Sequence, residues 1–148
     1  MVIELKTELA VREVAEDGLS INAPDTAIAA VECLQHAAQE MFCVLTLNGK
    51  NRLIRRHLVS LGTANSTLVH PREVFRPAIQ DGAVSIIVAH NHPSGDPSPS
   101  ANDIRITKNL VEAGKIIQIG VIDHLIVGST THSLRESGLV DFYTEGGC

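Results

Sequence analysis

The chain has 148 residues, 44% of them apolar and 20% charged, with a net charge of -5. That length suits one domain, residues 1–148, with a real core, and the composition marks a soluble globular protein. The acidic sum argues against a dedicated, electrostatically driven nucleic-acid binder, while leaving room for a local basic patch. No window approaches a membrane-spanning run, and the N-terminus lacks the basic start and apolar core of a signal peptide. A cytoplasmic location with no membrane partner is the expectation. Cys33, Cys43 and Cys148 form no Cys-x-x-Cys pair and are odd in number, so they read as reduced structural or tail thiols.

Residues 1–22 mix charge and apolar positions without a clear period and read as an extended or hairpin arm. Asn22-Ala23-Pro24-Asp25 is a helix-start signal, with Pro24 tolerated in the first turn. Ile28, Val31, Cys33 and Leu34 then mark one helix face, running to about Ala38. Phe42, Val44, Leu45 and Leu47 form a strand, Asn48-Gly49 supplies a hairpin turn, and Arg52 to Leu61 is the partner strand. Arg52, Arg55, Arg56 and His57 read as a solvated face, with a basic binding edge as the other option. Gly62-Thr63 ends that strand. Pro71 opens a helix with Val74, Phe75, Ala78 and Ile79 as its core face, and Asp81-Gly82 stops it. Late in the chain, Ala113-Gly114-Lys115 is read as a helix end and Ile116 to Ile122 as the start of a strand. That strand continues through Asp123-His124-Leu125-Ile126-Val127-Gly128. Ser133 to Leu139 is a short ending, and Gly146-Gly147-Cys148 reads as frayed.

Everything else is organised around Ala89 to Asp103. The apolar, β-branched run Ala83 to Ala89 reads as a buried strand, and it leads into His90-Asn91-His92. On a strand, alternate side chains share a face, so His90 and His92 can reach one point. Pro93 to Pro99 is a loop, because Pro and Gly break both regular structures. Ser100 opens the next helix and Asp103 sits in its first turn. Two imidazoles and a carboxylate make a three-ligand set for a catalytic zinc, with a fourth position for water whose pKa the metal lowers. The plain alternative for Ser100-x-x-Asp103 is a capping box, which is compatible with the metal reading. His124 is open to two readings, a residue that orients the site or a satisfied structural histidine. The order of elements predicts an α/β domain with a mixed β-sheet flanked by helices.

His90-x-His92, seven residues, then Ser100-x-x-Asp103 resembles the JAMM metalloprotease motif of the MPN domain, and Glu40 stands where that motif has its upstream glutamate. Glu40-Met41-Phe42, Leu61-Gly62-Thr63, His70 to Phe75, His90 to Gly95, Pro99-Ser100 and Asp123 to Gly128 together resemble the RadC family of bacterial proteins, over roughly Pro24 to Leu139. The resemblance implies a cytidine-deaminase-like fold carrying a zinc hydrolase site. By position, His90, His92 and Asp103 would bind Zn2+. Glu40 would act as general base and then acid, and Ser100 would hydrogen-bond the tetrahedral oxyanion. Glu73 is the second choice for the base, although a first-turn glutamate is explained by the helix dipole alone. The implied reaction is hydrolysis of a peptide or isopeptide bond in an unknown peptide or protein substrate. Larger RadC proteins carry an N-terminal helix-hairpin-helix region, and this shorter form looks like the catalytic module alone. The competing reading is a RadC-type DNA-repair or mobile-element-associated protein whose metal site is structural or vestigial. Two further readings fit less well. HNH nucleases disperse their residues over a hairpin and helix, and zinc deaminases need a Cys pair that is absent here.

Overall fold

The structure, a computed structural model, describes residues 11–12, 19–61 and 69–142. The Gly62-Thr63 strand end, most of the N-terminal arm and the Gly146-Gly147-Cys148 tail lie outside the described residues. The elements in chain order are β1 (Val11–Arg12), α1 (Pro24–Val31), β2 (Met41–Leu47), β3 (Leu53–Leu61), α2 (Pro71–Gln80), β4 (Ser85–Asn91), α3 (Ala101–Ile117), β5 (Gly120–Val127) and β6 (Thr131–Ser133). They build a mixed sheet of six strands, in the order β1-β3-β2-β4-β5-β6, as the α/β reading requires. All pairings are antiparallel except β4 with β5, which run parallel through the crossover helix α3.

Helices cover both faces. The two core clusters follow the strand alternation residue by residue. Phe42, Val44, Ile86 and Val88 pack with Val74, Phe75 and Ala78 of α2 and with Ile106, Leu110 and Val111 of α3. Leu45, Leu47, Ile87, Ala89 and Leu125 pack with Ala27, Ala30 and Val31 of α1 on the other face. Every residue of β4 is buried, which is why its sequence reads as a continuous apolar run rather than an alternating one.

Several expectations are corrected. The first helix is α-helical only to Val31 and tightens into a 3-10 turn over Glu32–His36, leaving Cys33 exposed. The β2–β3 turn runs from Asn48 to Arg52, with Asn48 Oδ1 accepting from the N–H groups of Lys50 and Arg52 and Asn51 at positive φ. Ile79 is 61% exposed rather than core. His57 is buried, not solvated, and its Nε2 lies 2.6 Å from a carboxylate oxygen of Asp81, which also accepts from Thr46 Oγ1 at 2.7 Å. The long third helix does not end at Gly114. It continues through Ile116 and Ile117, and Gln118 caps it in the left-handed conformation. Gly114 is required for another reason: a Cβ there would meet the Ile119 carbonyl at 2.5 Å, as the chain folds back from the helix into β5. Ser133 closes the short strand β6.

Candidate metal centre

The centre lies where the carboxyl end of β4 meets the first turn of α3. His90 is the penultimate residue of β4 and His92 is the first residue past it, so strand alternation turns both rings to the α3 face. Ser100 starts α3 with a reciprocal capping box. Its Oγ accepts from Asp103 N at 3.0 Å, and its own N–H donates to Asp103 Oδ2 at 2.8 Å. The cap therefore fixes the carboxylate that the helix delivers to the histidines. His90 Nε2 is 3.2 Å from Asp103 Oδ1, His92 Nε2 is 3.2 Å from Asp103 Oδ2, and the two Nε2 atoms are 3.0 Å apart.

Those three separations fit a metal ion. Four ligands at ~2.0–2.1 Å in tetrahedral array stand about 3.3 Å apart. His90, His92 and Asp103 form a group whose ligand atoms all lie within 4.8 Å of one another. The donor chemistry fits as well. His92 Nδ1 lies 2.7 Å from the carbonyl oxygen of Asp96, which can only accept, so Nδ1 carries the hydrogen and Nε2 presents a lone pair. His90 Nδ1 lies 2.7 Å from His124 Nε2 in the buried interior. His90 and Asp103 are 2% and 4% exposed, whereas the His92 side chain keeps 20% of its surface open, so the centre is reached from solvent on the His92 side.

The electrostatics agree. Burial alone would raise the Asp103 carboxyl, but the hydrogen bond and charge of His90 and the two bonds from Ser100 outweigh it and hold the group well below the usual carboxylate range. Burial, reinforced by the neighbouring His90, pushes His124 well below the ordinary imidazole value. A carboxylate and two imidazole nitrogens converge here, a donor set that could hold a metal ion.

Of the other sequence candidates, Glu40 lies outside that group of three, partly buried, just before β2. Phe42 is registered opposite His90 at the end of the β2–β4 pairing, two residues after Glu40. Glu73 is in the first turn of α2, paired with Arg72 at 3.1 Å. Sequence reasoning missed three contributors. The Asp96 carbonyl orients His92. Asn91 turns its amide to the opposite face, where Oδ1 accepts from Met41 N at 2.7 Å and Nδ2 donates to Gln39 O at 3.0 Å and Ala37 O at 3.3 Å. It thereby ties the segment that carries Glu40 to the end of β4. Thr107 stands one turn after Asp103 and bonds His124 Nδ1 at 2.5 Å. The Asp103–Thr107 spacing, which puts both on one helix face, was the available signal for it.

A family model described as the RadC-like JAB domain matches residues 21–139. The chain belongs to the RadC family. A UPF0758 protein of Caldanaerobacter subterraneus subsp. tengcongensis is 46% identical over 128 residues, covering 85% of this chain and 55% of that relative. A UPF0758 protein of Desulforamulus reducens is 48% identical over 128 residues, covering 85% of the chain and 56% of the relative. One of Bacillus cereus is 50% identical over 121 residues, covering 80% and 54%. This RadC-like chain thus spans about half the length of the curated relatives it matches. The matched family region contains the whole His90, His92, Asp103 group. No helix among the described residues is long and apolar enough to cross a membrane.

Proposed function

We propose that this RadC-like domain is a zinc-dependent hydrolase that cleaves an amide bond, peptide or isopeptide, with His90, His92 and Asp103 as the metal ligands. The observation that carries this reading is the convergence of two imidazole Nε2 atoms and a carboxylate at 3.0–3.2 Å, with one ring open to solvent. Three protein ligands are the set of a catalytic zinc, since structural sites use four. Bound there, zinc would supply an activated water and polarise the substrate carbonyl.

The protein's own groups divide the remaining work. Glu40 takes the proton of the attacking water and returns it to the departing amine, which must leave neutral. Its position just before β2, in a segment that Asn91 ties to the end of β4, supports that role. Ser100 is exposed, and its Oγ accepts from Asp103 N, which leaves the hydroxyl hydrogen to donate to an oxyanion. Asn91 holds the Glu40 segment against β4 during turnover.

The test is cleavage of a complex peptide mixture by the zinc-loaded protein, read as new N-termini by mass spectrometry. New termini made by wild type and missing with Glu40→Gln are the expected result. Identical termini from both proteins would remove Glu40 from the chemistry, and none from either would remove the hydrolase reading.

A further inference from the structure

The metal position is connected to a hydroxyl inside helix α3 through two imidazoles. Thr107 Oγ1 lies 2.6 Å from the carbonyl oxygen of Asp103 and 2.5 Å from His124 Nδ1. His124 Nε2 lies 2.7 Å from His90 Nδ1, and His90 Nε2 faces Asp103 Oδ1 at 3.2 Å. The path starts and ends on Asp103, at its backbone carbonyl and its carboxylate. Thr107 is fully buried and His124 is 1% exposed, so water is excluded from the ring of bonds.

The contacts order the hydrogens from Thr107 back to His90 Nδ1. Two oxygens at 2.6 Å repel unless a hydrogen lies between them, and a carbonyl has none to give. The Thr107 hydroxyl therefore donates to Asp103. Its lone pair then faces His124, so His124 Nδ1 must carry the hydrogen. The buried neutral ring has no second hydrogen, so His124 Nε2 accepts from His90 Nδ1–H. His90 then keeps a hydrogen on Nδ1, which leaves Nε2 as the nitrogen available to a metal ion.

We infer that Thr107 is a positioning residue whose hydroxyl, acting through His124, sets the tautomer of His90 and with it the affinity of the centre for a divalent metal. The usual partner that fixes a ligating histidine is a carboxylate or backbone carbonyl, which permits only one tautomer by itself. A neutral histidine permits either, so here the choice passes back to Thr107. The inference rests on the metal reading for its effect on affinity, but the tautomer itself exists without metal.

Thr107→Val keeps the β-branched shape and deletes the hydroxyl, while Thr107→Ser keeps the hydroxyl. Without it, His124 can move its hydrogen to Nε2 and donate to His90 Nδ1, which places a hydrogen on His90 Nε2 in the ligand position. Imidazole nitrogen chemical shifts in the metal-free protein read this directly. The expected result is a hydrogen on His90 Nδ1 in wild type and Thr107→Ser, and none on that nitrogen in Thr107→Val. Zinc affinity, measured by competition with a chelator, is expected to fall by about 10–100-fold in Thr107→Val and to stay within about threefold in Thr107→Ser. A residue that merely fills space would lower thermal stability and leave both readouts unchanged, and that outcome overturns the inference. Should Thr107→Val not fold, wild type alone decides it: a His90 Nδ1 that carries no hydrogen contradicts the chain of donors running from His90 to Thr107. A wild type with the expected tautomer but no zinc binding would defeat the metal reading and the affinity claim, and leave the hydrogen order standing.

Discussion

His90 Nε2 and His92 Nε2 face each other at 3.0 Å, with the Asp103 carboxylate 3.2 Å from both. Each ring is oriented from behind, His92 by the Asp96 carbonyl and His90 by His124. Neither orienting contact involves the loop's prolines or a charged partner. The site is thus pre-organised by backbone and buried neutral groups, with the negative charge concentrated on the one ligand that needs it.

Glu40→Gln is expected to retain metal and lose about 10²–10⁴-fold in turnover, the span of general acid–base catalysis. Paired measurements of zinc content and hydrolysis check it. Loss of zinc in this variant would make Glu40 a ligand instead of a base.

The loop Pro93 to Pro99 rests on the turn after β5. Ser129 N donates to the Gly95 carbonyl at 2.7 Å, and a Cβ on Gly128 would run into that same carbonyl. Gly128→Ala therefore displaces the loop whose Asp96 carbonyl fixes His92. Zinc affinity should drop about tenfold or more with the circular dichroism spectrum preserved. Unchanged affinity would show that the loop does not position His92.

Asp81 is a buried carboxylate, with 2% of its side chain exposed, held by His57 Nε2 at 2.6 Å and Thr46 Oγ1 at 2.7 Å. Removing it leaves the buried His57 imidazole without this carboxylate, while the Thr46 hydroxyl keeps its bonds with the Arg55 backbone. Asp81→Ala is expected to cost about 3–5 kcal/mol of stability, measured by urea unfolding, with metal content unaffected because the pair lies away from the centre. A loss below about 1 kcal/mol would make the pair incidental.

Burial raises the Asp123 carboxyl, against the lowering effect of bonds from Ser133 Oγ, Arg135 N and His124 N. The sign follows from linkage. The folded state holds this proton more tightly than the unfolded chain, so the ionised group costs stability at neutral pH and the cost vanishes as pH falls through the raised value. Compared with Asp123→Asn, wild type should therefore gain stability between pH 7 and pH ~4. Denaturant titrations of both proteins across that range check this, and a wild-type stability that stays level or falls relative to Asp123→Asn as the pH is lowered would contradict it.

The candidate metal-ligand group was legible in sequence because each part rests on a local rule. Strand alternation pairs His90 with His92, and the capping box sets Asp103 at the start of α3. The fold class followed from β4 reading as a buried strand and α3 as its crossover. What was misread depended on distant partners or on ambiguous apolar runs. His57 looked solvated because its partner Asp81 lies on another element, 24 residues away. Ile116 and Ile117 looked like the start of a strand because an apolar run has no period of its own, and Gly114 looked like a helix stop although its role is clearance for Ile119. Ile79 matched the α2 stripe but falls on the open side of that helix. Asn91 stands inside the run His90 to Gly95 and Thr107 one turn after Asp103, but their bonds to Met41 N and His124 appear only when the elements are assembled.

The most direct test is the metal content of purified wild-type protein beside the His90→Ala/His92→Ala double variant. About one zinc per chain in wild type, absent from the variant, is the predicted result. A wild type that holds no zinc and takes up none on addition, or a double variant that binds as well as wild type, would contradict the assignment of His90, His92 and Asp103 as a metal centre.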